Sequence, residues 1–460
     1  MKIQRKLLLT LGASATIMLL SLIAGLNARQ ALAVSLFTGT ITALIFFWHL
    51  KVPITFLGVS LLVTLGLIDV PHLIEAANLD VILFLIDMMI VTRFLENRRF
   101  FEYIISVMLS KVGRSGFLLI TILMLLSALF ASLVGAVVSA LFMTTSIVHL
   151  ASRLRLNITP LVLMITFAIN IGSSATVVGN PVGVLIAMKG GLTFSDFLRW
   201  ATPISLASLA LAIMISFRMF RKEIRMLDRR LKEQLIESDM GKLGSMIPEN
   251  DLMICWALFL GTMLGLLFSH QLEELLHLEK NTMLIGVSLL SATATLLIEK
   301  QRARELIERG VDWWTLMFFM MLFASVGALE YVGVTDVLAN AITDVPGGTI
   351  TRFILLTLLT GALSAFLDNV LAVATIVPVI KGLGEMGYDT YPFWWGALFA
   401  GTFFGNLTLI ASTANIVAIS MLERRGLGRI SFKEWLKKGF VITMPTIGLA
   451  ILLLALQLMP

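Results

Sequence analysis

An all-α polytopic membrane protein, with about eleven crossings and two re-entrant hairpins set in two inverted repeats, is the fold class this sequence predicts. Three observations predict it. Hydrophobic residues make up 58% of the 460 and charged ones only 14%, with a mean hydropathy of +0.94, values far from those of soluble domains. Apolar runs near the ~20-residue length of a membrane crossing recur along the chain between charged segments. The second half then repeats features of the first at a near-constant offset.

Crossings are expected near residues 7–26, 31–49, 53–69, 80–96, 160–188, 199–219, 251–269, 282–298, 312–330, 393–421 and 438–458. Two further apolar stretches, 117–150 and 351–381, carry small and polar residues in their middles and are read as hairpins that return to their own side. The organisation that follows is an N-terminal transmembrane helix over 1–30 and a first repeat over 31–219. A charged linker over 220–250 and a second repeat over 251–460 complete it. Apart from crossing count, charge sets orientation. With the N-terminus cytoplasmic, all but six of the 35 lysines and arginines fall on the cytoplasmic side, as the positive-inside rule asks. The linker is then a solvated cytoplasmic connector, and Pro460 lies across the membrane. The expected location is the plasma (inner) membrane.

The net charge of +6 therefore encodes topology rather than a nucleic-acid partner. Other classes fall for specific reasons. One cysteine, Cys255, cannot form an intrachain disulfide, and His49, His72, His149, His270 and His277 lack ligand spacing, so no metal beyond a sodium ion is expected. No phosphate-binding Gly-x-x-x-x-Gly-Lys-Ser/Thr loop is present, which removes a nucleotide-driven pump, and no cofactor is expected. An intramembrane hydrolase using Asp87 and Asp368 would leave the repeat unexplained, so the protein is not read as an enzyme.

The repeat is visible in ordered matches. Asp80 with Met88-Met89 matches Asp312 with Met320-Met321, Gly135-Ala-Val-Val-Ser-Ala matches Gly361-Ala-Leu-Ser-Ala, and the stretch beginning Leu192-Thr-Phe-Ser-Asp matches Ile430-Ser-Phe-Lys-Glu. Five crossings plus one re-entrant hairpin per copy make the copies inverted, an architecture of carriers that hold substrate between broken helices at the midplane. A channel could also repeat, but breaks in both halves favour alternating access.

Four polar interruptions lie at membrane depth. The hairpin tips are read as Ser139-Ala-Leu-Phe-Met-Thr-Thr-Ser146 and Ser364-Ala-Phe-Leu-Asp368-Asn369. The broken spans carry Asn170-Ile-Gly-Ser-Ser-Ala-Thr-Val-Val-Gly-Asn-Pro181 and Gly401-Thr-Phe-Phe-Gly-Asn-Leu-Thr-Leu-Ile-Ala-Ser-Thr-Ala-Asn415. Glycine and Asn-Pro unwind a helix, and freed backbone groups are tolerated only beside protein or a polar cavity. Substrate is accordingly expected on Ser139, Thr144, Thr145, Ser173, Ser174, Thr176, Asn180, Ser364, Asn369, Asn406, Thr408, Ser412, Thr413 and Asn415. Asp368 and Asn369, with Gly172, Gly405 and more weakly Asp87, are the candidates for a coupling ion, because a carboxylate inside an apolar stretch is costly and functional. For Asp87 the alternative is a structural pairing with Arg93 or a backbone group. Asp80, Asp312, Glu96 and Glu330 are expected at the interface.

The stretches Val81-Ile-Leu-Phe-Leu-Ile-Asp-Met-Met89, 170–181, 364–369 and 405–415 resemble the ion transporter superfamily, which includes the ArsB and NhaD permeases, the citrate transporters and the divalent anion to sodium symporters. The resemblance spans roughly 30–458. It implies a scaffold region and a moving transport region, elevator-like motion and a homodimer. It also implies Ser-Asn-Thr-like motifs at both tips, with cation sites beside them and substrate between. Asp368-Asn369-Val370 then occupies the second tip and Met143-Thr144-Thr145 a degenerate first one. The function implied is secondary transport of a small anion or oxyanion, of the carboxylate or arsenite-like class, coupled to sodium or protons. A sodium/proton antiporter of the NhaD type is the alternative.

Overall fold

A computed structural model describes residues 3–110, 115–154, 157–233, 248–424 and 427–458. Among these every regular element is helical. Eight helices are long and apolar enough to cross a membrane: Ile3–Ile23, Ala28–Phe46, Gly116–Val134, Phe194–Met219, Asn250–Leu267, Trp313–Tyr331, Thr349–Phe366 and Phe432–Gln457. The chain is a multi-pass membrane protein.

Other expected crossings are shorter helices. The run 53–69 becomes Lys51–Thr64 followed by Val70–Ala76, because Gly66 adopts a φ of 67° and Asp69 caps a new helix by accepting from the His72 N–H at 3.0 Å. The runs 160–188 and 393–421 are broken, as Asn-Pro and glycine suggest. The first divides into Thr159–Gly172, a single turn at Val177–Gly179 and Pro181–Gly190. The second divides into Tyr391–Phe403, a turn at Phe404–Asn406 and Thr413–Arg424.

The interrupted stretches form helical hairpins, Gly116–Val134 with Ala136–Leu154 and Thr349–Phe366 with Asn369–Glu385. The first turn corrects the sequence expectation. It falls at Gly135, not within 139–146, and it falls there because φ 103°, ψ 148° is a conformation that a residue with a β-carbon rarely adopts. Ser139, Thr144 and Thr145 therefore lie inside the second arm rather than at the tip, and Gly135-Ala136-Val137 replaces Met143-Thr144-Thr145 as the counterpart of Asp368-Asn369-Val370.

Packing crosses between the halves in matched pairs. Leu79–Asn97 packs on Thr282–Ile298, while Trp313–Tyr331 packs on Lys51–Thr64. Ala136–Leu154 packs on Thr413–Arg424, while Asn369–Glu385 packs on Pro181–Gly190. Each hairpin thus leans on the broken span of the opposite half.

The beginning of the expected linker is not simply a solvated connector. Residues Arg221–Glu233 form a helix whose Ile224, Leu227 and Leu231 are buried, spaced so that one face meets the protein. Asp228 accepts from the Gly116 N–H at 3.0 Å and so ties this helix to the start of the first hairpin. The centre of the linker, 234–247, and Pro460 lie outside the described residues.

Candidate substrate site

Both hairpin turns and both helix breaks end on one cavity of about 230 Å³. Its wall takes Gly135, Ala136, Val137 and Val138 from the first tip, and Asn369 and Val370 from the second. Asn180 and Pro181 come from the first break, and Ser412, Thr413 and Ala414 from the second. Facing them are Met88, Met89, Thr92, Arg93 and Glu96 on Leu79–Asn97, with Asp312, Thr315 and Phe319 at the start of the neighbouring helix.

Four helices, those beginning at Ala136, Pro181, Asn369 and Thr413, present their N-terminal ends to this cavity. Free N–H groups and the helix dipole make such ends positive without any ionised side chain. Gly135 has no side chain with which to cap the helix that follows it. The ends at Pro181 and Asn369 are held differently. Asn180 accepts from the Gly183 N–H at 2.9 Å, whereas the Val370 N–H is shared by Asp368 Oδ1 at 3.0 Å and Asn369 Oδ1 at 2.9 Å.

Asp368 is 4% exposed. Its other oxygen accepts from the Thr413 hydroxyl at 3.2 Å, so the carboxylate bridges the second tip and the second break at the cavity's edge. Arg93 and Glu96 pair with each other at 2.7 Å. Asp87, 3% exposed, takes no part: it accepts from Ser288 at 2.9 Å, on the helix behind, and its pairing with Arg93 does not form. The helical period explains this, since the Met88, Met89, Thr92 and Arg93 face meets the cavity and Asp87 lies on another.

Several expected site residues instead stitch the frame. The Thr176 hydroxyl donates to the Ser132 carbonyl, and the Thr408 hydroxyl donates to the Ala365 carbonyl. Each clasp fastens a helix break to the hairpin of its own half, at corresponding positions. Asn180 Nδ2 donates to the Ser173 carbonyl at 3.0 Å and Asn415 Nδ2 to the Gly405 carbonyl at 2.7 Å, again in corresponding places. Ser139 donates to the Ser127 carbonyl at 2.9 Å, Ser364 to the Gly401 carbonyl at 2.7 Å and Thr145 to the Leu141 carbonyl at 2.8 Å. Ser174 contacts Ser205 at 2.7 Å. Thr144 is buried with no hydrogen-bond partner among the described residues, and Gly172 permits close approach of Ala128 on the first hairpin arm.

Asn406 and Asn415 are committed elsewhere. Asn170 Nδ2 donates to Asn406 Oδ1 at 2.8 Å and Asn415 Oδ1 at 2.9 Å, while Asn170 Oδ1 accepts from Ser412 at 2.9 Å. The Asn406 amide donates onward to the Phe167 carbonyl at 3.4 Å. These buried amides are satisfied by one another and lock the two breaks together. Of the expected substrate ligands, Asn180, Asn369, Ser412 and Thr413 reach the cavity wall.

Sequence reasoning missed two parts of the site. Asp312 and Glu96 were expected at the interface and line the cavity instead. Lys51 was counted only as a cytoplasmic charge, yet it is 8% exposed and donates to the Thr315 hydroxyl at 2.9 Å. Its position directly before an apolar run was the available signal. Among the described residues no group of His, Cys, Asp or Glu could hold a metal ion.

Residues 41–400 match the family model CitMHS, described as citrate transporter. An uncharacterized transporter of Mycobacterium tuberculosis (strain H37Rv) is 32% identical over 387 residues, covering 82% of this chain and 86% of the relative. A 46 kDa membrane protein of Mycobacterium leprae is 31% identical over 402 residues, 85% of this chain and 90% of its own length. The P protein of Homo sapiens is 24% identical over 463 residues, 84% of this chain but 54% of that longer protein.

Proposed function

The chain belongs to the citrate transporter family, and from that premise we propose that this secondary transporter carries a small anion or oxyanion, coupled to a sodium or proton gradient. The observation that carries the proposal is the convergence of four helix N-termini on one cavity. Such ends suit an anion because their partial positive charge needs no lysine or arginine and leaves no ionised side chain uncompensated when the site empties. The cavity's volume suits a small ion rather than a drug-sized molecule. Asn180, Asn369, Ser412 and Thr413, which line the cavity, are the proposed ligands, Asn180 and Ser412 on exchanging the frame bonds they make in this structure.

Asp368 is the proposed seat of the coupling ion. A bare carboxylate is expensive to move through a bilayer, so a sodium ion or proton that neutralises it would permit the loaded site to cross. In this reading the halves, 31–219 and 251–460, are inverted repeats and the hairpins are re-entrant. They move with the broken spans against a scaffold that includes Lys51–Thr64, Leu79–Asn97, Thr282–Ile298 and Trp313–Tyr331. Matched cross-packing and the two equivalent threonine clasps support the repeat. The charge distribution supports a cytoplasmic N-terminus and linker, a C-terminus on the opposite face and residence in the inner membrane; a homodimer follows from the resemblance alone.

Reconstituted protein should concentrate citrate, a related carboxylate or arsenite when sodium and proton gradients are imposed separately. Downhill flux that ignores both gradients would make it a channel. Sodium/proton exchange with no anion moved would establish the second reading, an antiporter centred on Asp368.

A further inference from the structure

Lys51 is the buried ammonium nearest this chemistry, and the mechanism just proposed leaves it unused. Its Nζ donates to Thr315 Oγ1 at 2.9 Å, and that hydroxyl donates to Asp312 Oδ2 at 2.6 Å. The same Nζ lies 5.1 Å from the centre of the Phe318 ring and 5.6 Å from that of Trp48, so an aromatic wall fixes it on the scaffold. Thr315 faces the cavity, and so does Thr413, which holds Asp368 from the other wall. Lys51 and Asp368 are thus anchored, through Thr315 and Thr413, at the lining of one cavity, and no ion pair joins them among the described residues.

The local sum is one ammonium between two carboxylates, Asp312 on the scaffold and Asp368 on the second hairpin. The other charges lining the cavity, Arg93 and Glu96, cancel in their own pair. With all three groups ionised one positive charge is lacking, and a single monovalent cation would supply it. Removing part of such a buried set is costly, because it leaves an uncompensated charge.

We propose that Lys51 and the coupling cation compete for Asp368 across the cavity, so that the Lys51 charge draws the ion-free hairpin towards the scaffold and a cation taking its place releases it. Lys51 is thus a specificity and coupling residue that never touches the transported anion. The inference rests on the reading that the cation binds at Asp368.

The test uses the full chain, purified, with thermal stabilisation read against sodium chloride at fixed pH, choline chloride as control, and against pH at fixed sodium. Removing a unit charge that acts through protein changes cation affinity by about tenfold. Lys51→Gln should lower the half-saturating cation concentration by about that factor, and Lys51→Arg should hold it within about twofold of the parent. An unchanged midpoint in Lys51→Gln, with the response lost in Asp368→Asn, would overturn the competition while leaving the ion site standing. Should Asp368→Asn keep the parent response, the site itself falls, and the competition with it. If Lys51→Gln does not fold, Lys51→Gln combined with Asp312→Asn preserves the local charge balance on the scaffold. Measured against Asp312→Asn alone, the same tenfold fall supports the competition and its absence refutes it.

Discussion

The two hairpin tips are built on one frame and carry different chemistry. Thr176 clasps the Ser132 carbonyl as Thr408 clasps the Ala365 carbonyl, so the backbones are held alike. One tip then reads Gly135-Ala136-Val137 and the other Asp368-Asn369-Val370. The frame is duplicated while the charge is single. A tip that keeps only a helix N-terminus can attract an anion, whereas a tip with a carboxylate can also take a cation, and in the function proposed above the difference divides the labour of the cavity.

The largest effect should come from erasing that difference. Asp368→Asn keeps the side chain's size but cannot titrate, and flux in proteoliposomes should cease to respond to either gradient. Asp87→Asn, on the face turned away, should keep the response within about twofold. A gradient response that survives Asp368→Asn would remove the asymmetry from the mechanism.

Next comes the amide lock beneath both tips. Asn170→Ala leaves Asn406, Asn415 and Ser412 short of partners and should cost about 3 kcal/mol, seen as a lower unfolding temperature in detergent. Anion affinity per folded molecule should change much less. A variant that binds poorly yet melts like the parent would return these amides to the list of ligands.

Gly135→Ala tests the uncharged tip. Nothing stands within 4 Å of an added β-carbon, so any loss is backbone strain, about 2 kcal/mol for a conformation restricted to glycine. An unaffected stability would mean that the turn relaxes elsewhere.

Smallest are the clasps. Thr176→Ala and Thr408→Ala should each cost about 1 kcal/mol, equally if the frames are equivalent, but only Thr408→Ala should shift the cation midpoint because it supports the charged tip. Matching shifts in both would show that the ion senses both tips.

Much of this was legible in the sequence, for reasons tied to particular residues. The membrane class followed from composition, and the helix breaks from Asn180-Pro181 and the glycines around Asn406; the buried position of Asp368 was signalled by the rarity of a carboxylate in an apolar stretch, while its role is a proposal. The first turn was misplaced because Gly135 is a single residue whose φ no pattern records, while the hydroxyls at 139–146 drew attention instead. Cavity wall and interior could not be separated either: Asn406 and Asn180 look equivalent on paper, and only the three-dimensional structure pairs Asn406 with Asn170 in the interior and sets Asn180, a helix cap, on the cavity wall. Lys51 was hidden by its own good fit to the positive-inside pattern, which explains a lysine near a span end without asking where its ammonium points.

The helix Arg221–Glu233 leaves the first half riveted to the start of the first hairpin through Asp228 and Gly116. In a carrier whose hairpins shuttle, that attachment makes the connector a piston rod rather than slack cord: its displacement reports the stroke, and clamping it from the aqueous side would stall the cycle without any molecule entering the membrane.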